Sequence, residues 1–268
     1  MKKRVAVIVN EKQYNTVMQN HLKELLNDDE IELGMLLVDS FNENKLKLKT
    51  TKKLLSIVIR LTNMSYKLLD IIIKNKRYEH DEKLNIHDFI SSHDLKDISE
   101  NLDTVKLSKY RSDLSKEQIQ KLNTTCDVII LLGIGRLLDG KILECTKHGV
   151  LSFHPADIRK YRGRPSGFHE WINCEEYLGI TVQRLSKEID GGEIITERSV
   201  NLKKNRSLVS ASEEMRVVRK GMIVEGVYKI FSNNQKFEKP DYIKHNRESG
   251  FYTNRNVFKY VKRHLIKC

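Results

Sequence analysis

Cysteine is sparse in this chain. The four present, Cys126, Cys145, Cys174 and Cys268, lie far apart with no CxxC and no Cys/His ligand spacing. That argues against a disulfide scaffold and against zinc, and it suits a reducing, cytoplasmic setting. Long apolar runs are missing too. No stretch reaches the roughly 18 uninterrupted apolar residues of a membrane span. The opening MKKRVAVIVNEKQY breaks at Asn10, too early for a signal peptide or a transmembrane helix. There is no internal repeat or low-complexity segment. His80, His87 and His93 include no pair at helical i, i+4 spacing, so they read as solvated and no metal is expected.

What the chain has is charge. Of its 268 residues 31% are charged and 39% hydrophobic, and 48 Lys+Arg against 36 Asp+Glu give a net charge of +12. The surplus is concentrated from Asn201 onward, where 16 basic residues face 6 acidic ones. An anionic partner such as a nucleotide or nucleic acid would suit that balance, although a Lys-rich surface is also simply well solvated. The length fits one large domain or one domain with an appendage.

Hydrophobic patterning indicates an α/β domain. The run Val5 to Val9 is continuously apolar and β-branched, as a strand buried on both faces of a parallel sheet should be. Thr16 to Leu26 has helical spacing and Ile31 to Val38 is again strand-like, so the chain opens β-α-β. Lys45 to Lys76 is basic and apolar at mixed spacing, and is expected to form helices packed on the sheet rather than on a membrane surface. Arg77 to Asn101 is polar and expected to have little regular structure. A strand follows near Thr104 to Leu107, then a helix from Ser115 as N-cap to Leu122, and a central strand Cys126 to Leu132. A short helix Leu137 to Cys145, a strand Gly149 to Phe153, a hairpin Gly179 to Val200 and helical periodicity from Leu208 to Phe231 complete the pattern.

Chemistry-bearing residues gather at strand ends. Gly133-Ile134-Gly135-Arg136 follows the central strand, at the end where open α/β sheets bind ligands, but it lacks the G-x-G-x-x-G of a dinucleotide site. His154 ends the next strand, and Pro155 keeps it extended. Ser152, His154 and Asp190 suggest a hydrolase triad, yet no G-x-S-x-G elbow is present to expose the serine. Asp190-Gly191-Gly192 reads first as a hairpin turn. The loop Arg159, Lys160, Tyr161, Arg162, Gly163, Arg164 sets basic residues around an aromatic, and either holds a phosphate or carboxylate or is solvated.

Together these residues resemble the 10-formyltetrahydrofolate-dependent formyltransferase family, whose members formylate glycinamide ribonucleotide, methionyl-tRNA or nucleotide-linked amino sugars. The likeness covers about Cys126 to Val200. FHPADIRKYRG is similar to the family's His-Pro-Ser-Leu-Leu-Pro-x-x-Arg-Gly segment, with His154, Pro155, Tyr161, Arg162 and Gly163 on matching positions. GITVQRLSKEIDGGEII resembles its Gly-Val-Thr hairpin ending in Ile-Asp-x-Gly, which places Gly179, Thr181, Asp190, Gly192 and Ile194. LGIGRLLDGKIL resembles the segment lining the family's folate pocket.

The resemblance implies a mostly parallel, Rossmann-like α/β sheet with helices on both faces, a β-hairpin and a small basic, helical C-terminal region. The catalytic domain would span 1–200, with a helical and irregular insertion at about 45–101, and the basic region 201–268. It implies that His154 and Asp190 face each other: the imidazole would stabilise the oxyanion formed when an amine attacks the formyl carbon, and the carboxylate would orient the ring and help remove the amine proton. Folate would be held by Gly133, Ile134, Gly135, Arg136, Leu137 and Leu138, and by Ser186, Lys187, Glu188 and Ile189. The acceptor would meet Arg159, Tyr161, Arg162, Gly163 and Arg164.

One position departs from the pattern. The family's Asn-x-His reads Ser152-Phe153-His154, and loss of one oxyanion donor costs about 2.7 to 4 kcal/mol. A non-catalytic or impaired folate- or nucleotide-binding homologue is therefore the competing class. About 68 residues follow Val200, and Leu208 to Phe231 reads helical rather than as the β-barrel of the family's tRNA enzymes. With the weak likeness of the tail around Gly250 to Arg255 to nucleotide-sugar enzymes, this ranks an amino-sugar nucleotide first as acceptor, glycinamide ribonucleotide next and methionyl-tRNA last. Nucleic acid is not the favoured partner, and a homodimer is compatible with the pattern.

Overall fold

The strand β1, Lys3–Asn10, runs through the middle of a seven-stranded sheet of order β10-β9-β8-β6-β1-β2-β3. The structure, a computed structural model, describes residues 2–41, 82–108, 111–133, 137–162, 167–203, 208–232, 235–241 and 259. Strand β1 pairs in parallel with β2, Ile31–Asp39, and with β6, Val128–Leu132. Strand β6 pairs in parallel with β8, Val150–His154, and β3, Ser99–Asn101, pairs in parallel with β2. At the opposite edge β9, Tyr177–Arg184, turns antiparallel onto β8, and β10, Glu193–Asn201, pairs antiparallel with β9.

Both faces of the parallel sheet are covered. Val5, Val7 and Val9 point into one apolar cluster and Ala6 and Ile8 into another, and all five are fully buried. This is why the opening run is continuously apolar instead of alternating. Helix α1, Thr16–Leu26, packs its buried Leu22 and Leu25 into the first cluster, and Asn15 caps it by accepting from Val17 and Met18 N–H. Helix α2, Ile86–Ser92, adds Ile86, Phe89 and Ile90 to the same side. Helix α3, Lys116–Thr125, brings Leu122 to the second cluster, with Ser115 as N-cap accepting from Gln118 N–H. Helix α4 is Phe168–Ile172, and α5, Leu208–Val218, and α6, Met222–Phe231, pack on the hairpin side of the first cluster. No described helix is long and apolar enough to cross a membrane.

Three expectations change. The stretch up to Asn101 is not irregular: Asn85 caps α2, whose apolar residues fall at i, i+3, i+4, and β3 extends the sheet. Leu137 to Cys145 is not one helix. Leu137–Leu138 form strand β7, which pairs in parallel with β5, Arg111–Leu114, in a small sheet with β4, Thr104–Lys106. Gly140, at φ 93, then breaks the backbone before a 3-10 turn, Lys141–Glu144, whose first N–H groups donate to the Asp113 carboxylate. The hairpin is not closed by a tight Asp-Gly turn, because β9 ends at Arg184 and β10 starts at Glu193, leaving residues 185–192 as a loop. The expected helices of Lys45 to Lys76 and the tail around Gly250 to Arg255 lie outside the described residues.

An ion pair joins the start of β1 to the residue before β6. The Arg4 Nε and Nη2 donate to the two Asp127 carboxylate oxygens at 3.1 and 2.9 Å, and this holds the Asp127 carboxyl below its usual range. A depressed folded-state value means that the pair stabilises the fold above the range where the unfolded carboxyl titrates, and that the gain is lost as pH falls through the folded-state value. Asp127→Asn is thus expected to lower the melting temperature at pH 7, with the gap to wild type closing as the pH is taken towards 2, which thermal melts across pH check.

Candidate functional site

The site lies at the carboxyl ends of β6 and β8, on the face opposite α5 and α6. Alternation along β8 turns Leu151 and Phe153 towards the first cluster and Ser152 and His154 to the other face. Strand β9 does the same. Leu178, Ile180 and Val182 pack in the core, so Gly179, Thr181 and Gln183 share the face of the histidine. The register places His154 opposite Thr181 and Ser152 opposite Gln183. Thr181 Oγ1 donates to the Ala156 carbonyl at 2.9 Å, which pins the chain just after His154 to β9. At Gly179 a side chain would collide with the backbone of Asp157, so that position must be glycine for the loop to lie against the strand.

His154 and Asp190 meet. His154 is 5% exposed; its Nδ1 lies 3.4 Å from Asp190 Oδ1 and its Nε2 lies 3.2 Å from the Tyr161 carbonyl. Both ring nitrogens face oxygen acceptors, which fixes the plane of the ring. Asp190 has φ 52, the left-handed region that Asp tolerates better than most residues. The loop that carries it is tied down on both sides. Ser186 Oγ donates to the Gly191 carbonyl at 3.1 Å, and the Gly192 N–H donates to Gln183 Oε1 at 3.1 Å.

The other expected residues divide into groups. Gly133, at φ 64, directly follows β6 and flanks β8, while Ile134, Gly135 and Arg136 lie outside the described residues. Leu137 and Leu138 belong to β7, with Leu137 40% exposed. Ser186, Lys187, Glu188 and Ile189 form the first part of the Asp190 loop, with Lys187 and Glu188 exposed. Gly163 and Arg164 lie outside the described residues.

Arg159 and Arg162 are engaged in tethering. Arg159 makes paired hydrogen bonds to Glu238 at 2.8 and 2.6 Å and to Glu197 at 2.6 and 3.2 Å. Buried Arg162 donates from Nε to the Ile158 carbonyl and from Nη2 to the Pro240 and Asp241 carbonyls. Tyr161 donates its hydroxyl to Glu175 and accepts from Asn173, and burial pushes that phenol well above its usual range. Lys259 Nζ in turn donates to Asn173 Oδ1 at 2.6 Å. These two arginines bind the segment at 238–241 to the loop whose Tyr161 carbonyl orients His154.

Sequence reasoning overlooked Gln183. The available signal was the alternation in GITVQ, which sets glutamine in step with Gly179 and Thr181 rather than with Ile180 and Val182. A buried imidazole backed by a carboxylate, with a hydroxyl and a primary amide on the same sheet face, is a donor set suited to an acyl oxygen.

A family model described as "Formyl transferase" matches residues 72–227. Methionyl-tRNA formyltransferase of Thermotoga neapolitana is 31% identical over 116 residues, covering 43% of this chain and 37% of that protein. The Enterococcus faecalis protein of the same name is 25% identical over 118 residues, 44% of this chain and 38% of that one. The chain thus spans well under half the length of the curated relatives it matches. Among solved structures, a formyltetrahydrofolate deformylase from Pseudomonas syringae pv. tomato superposes with TM-score 0.55 at 13% identity, over 90% of this chain and 67% of the other. An N-formyltransferase from Helicobacter canadensis, solved with folinic acid and dTDP-3-aminofucose, superposes with TM-score 0.52 at 15% identity, over 100% of this chain and 82% of that one. At such identities these two share the fold.

A side chain at Gly192 would collide with the Arg184 carbonyl and crowd Gln183 Oε1. Gly192→Ala is therefore expected to destabilise by about 1–3 kcal/mol, as overpacking does, and to displace Asp190 from His154. Chemical denaturation checks the first effect, and the loss of the Asp190-dependent shift in the His154 ring resonances checks the second.

Proposed function

Because the chain belongs to the formyl transferase family, whose model covers residues 72–227, we propose that it moves a formyl group from 10-formyltetrahydrofolate to the amino group of a nucleotide-linked amino sugar. The observation carrying this reading is the buried His154 held 3.4 Å from Asp190 at the carboxyl end of β8. In the net reaction a bond forms between the acceptor nitrogen and the formyl carbon, the bond from that carbon to folate N10 breaks, and the proton lost by the amine balances the one gained by N10. Folate would lie between Gly133 and Leu138 on one side of β8 and residues 186–189 on the other.

His154 is the donor to the oxygen that becomes negative. Its Nε2–H donates to the neutral Tyr161 carbonyl, which holds the ring in place; an oxyanion is the stronger acceptor and would recruit that proton. Asp190 orients the ring from the opposite nitrogen and would help remove the amine proton. The amino-sugar acceptor is supported by the helices α5 and α6, which follow the hairpin directly and pack on it, and by the fold shared with a neighbour solved with dTDP-3-aminofucose. Formylation of methionyl-tRNA is the second reading, favoured by the names of the curated relatives and by the net charge of +12.

A panel of nucleotide-linked amino sugars, dTDP-3-aminofucose among them, and methionyl-tRNA, each incubated with 10-formyltetrahydrofolate and read by mass, separates the two. Formylated sugar is expected, with His154→Ala and Asp190→Ala each lowering kcat by about a hundred- to ten-thousandfold. Formylated methionyl-tRNA with no sugar product would move the function to the second reading, with activity falling steeply with salt.

A further inference from the structure

We infer that the primary amide of Gln183 donates to the formyl oxygen, supplying from the neighbouring strand the amide donor absent at position 152; the inference rests on the formyl-transfer reading above. The β8–β9 register sets Ser152 directly opposite Gln183 and His154 opposite Thr181, so these four side chains leave the sheet on one face. In such a pair a short residue on one strand leaves room for a long one on the other. Serine at position 152 leaves that room, and Gln183 is 2% exposed.

The orientation of the amide follows from its partner. Gln183 Oε1 accepts from the Gly192 N–H at 3.1 Å, and only the oxygen of an amide can meet a backbone donor. The NH2 group is thereby the free end of the side chain. Among the described residues the Gly192 bond is the one hydrogen bond this side chain makes. The competing polar group on this face is already used, since Thr181 Oγ1 donates to the Ala156 carbonyl. An acyl oxygen brought into the site gives this NH2 group an acceptor. The same amide is tied through Gly192 to the loop that presents Asp190, so donor and carboxylate move together.

Two variants separate the donor from its structural role. Gln183→Glu keeps an oxygen for the Gly192 N–H and removes the NH2, whereas Gln183→Met removes both. The assay uses 10-formyltetrahydrofolate labelled with 13C at the formyl carbon, and dTDP-3-aminofucose as acceptor, alongside melting temperatures of the free proteins. Gln183→Glu is expected to melt within a few degrees of wild type while kcat falls about a hundred- to a thousandfold, the loss expected for one oxyanion donor. The resonance of the bound formyl carbon is expected to return towards its value in free solution. Adding Ser152→Asn to Gln183→Glu or Gln183→Met is expected to restore at least tenfold of the lost rate. Wild-type kcat and an unchanged formyl resonance in Gln183→Glu would overturn the donor role and leave the formyl-transfer reading standing. Absence of both formyl binding and turnover in the wild type would overturn the two together.

Discussion

Antiparallel pairing of β9 on β8, at the edge of an otherwise parallel sheet, is the constraint on which the site depends. It aligns His154 with Thr181 and Ser152 with Gln183, and it delivers the loop at 185–192 to the carboxyl end of β8. A slip of one residue would turn Thr181 and Gln183 into the apolar cluster and bring Ile180 and Val182 out beside the histidine. The apolar set of β9, packed under α5 and α6, therefore fixes the register as firmly as the hydrogen bonds do. Gly226 of α6 faces Val182, Leu151 and Ile195, so the helix closes directly over the strands that hold the site.

Charge in this protein works at two scales. Near the site Arg159 pairs with Glu197 and Glu238, Lys160 with Glu175, and Arg162 with backbone carbonyls at 158, 240 and 241, so these contacts clamp the loop. The clamp matters because the Tyr161 carbonyl within it orients the histidine ring. The net charge of +12 is a property of the whole surface, and such a field attracts nucleotides and tRNA alike.

Membership of the formyl transferase family and the likeness of fold to a deformylase and a sugar N-formyltransferase show one scaffold under several chemistries. The part they share with this chain is the fold. Positions 152 and 183 lie opposite each other on two strands and share one face of the sheet.

The sequence by itself determined the α/β class, the central strands and the two motifs that carry His154 and Asp190. Val5 to Val9, Thr16 to Leu26 and Cys126 to Leu132 carry periods too regular to misread, and His154 and Asp190 lie in motifs with specific spacing. Local patterning was weaker where few residues carry it: α2 rests on Ile86, Phe89 and Ile90 within a polar stretch, and β7 on two leucines that need β5 beside them. Only the tertiary structure decided that Gln183 faces Ser152, that Arg159 and Arg162 reach the segment at 238–241, and that Asp190 reaches His154 from a left-handed loop instead of a tight turn. The physical reason is range. Periodicity records what a residue does relative to its own strand or helix, whereas register, ion pairing and loop placement join residues far apart in the chain.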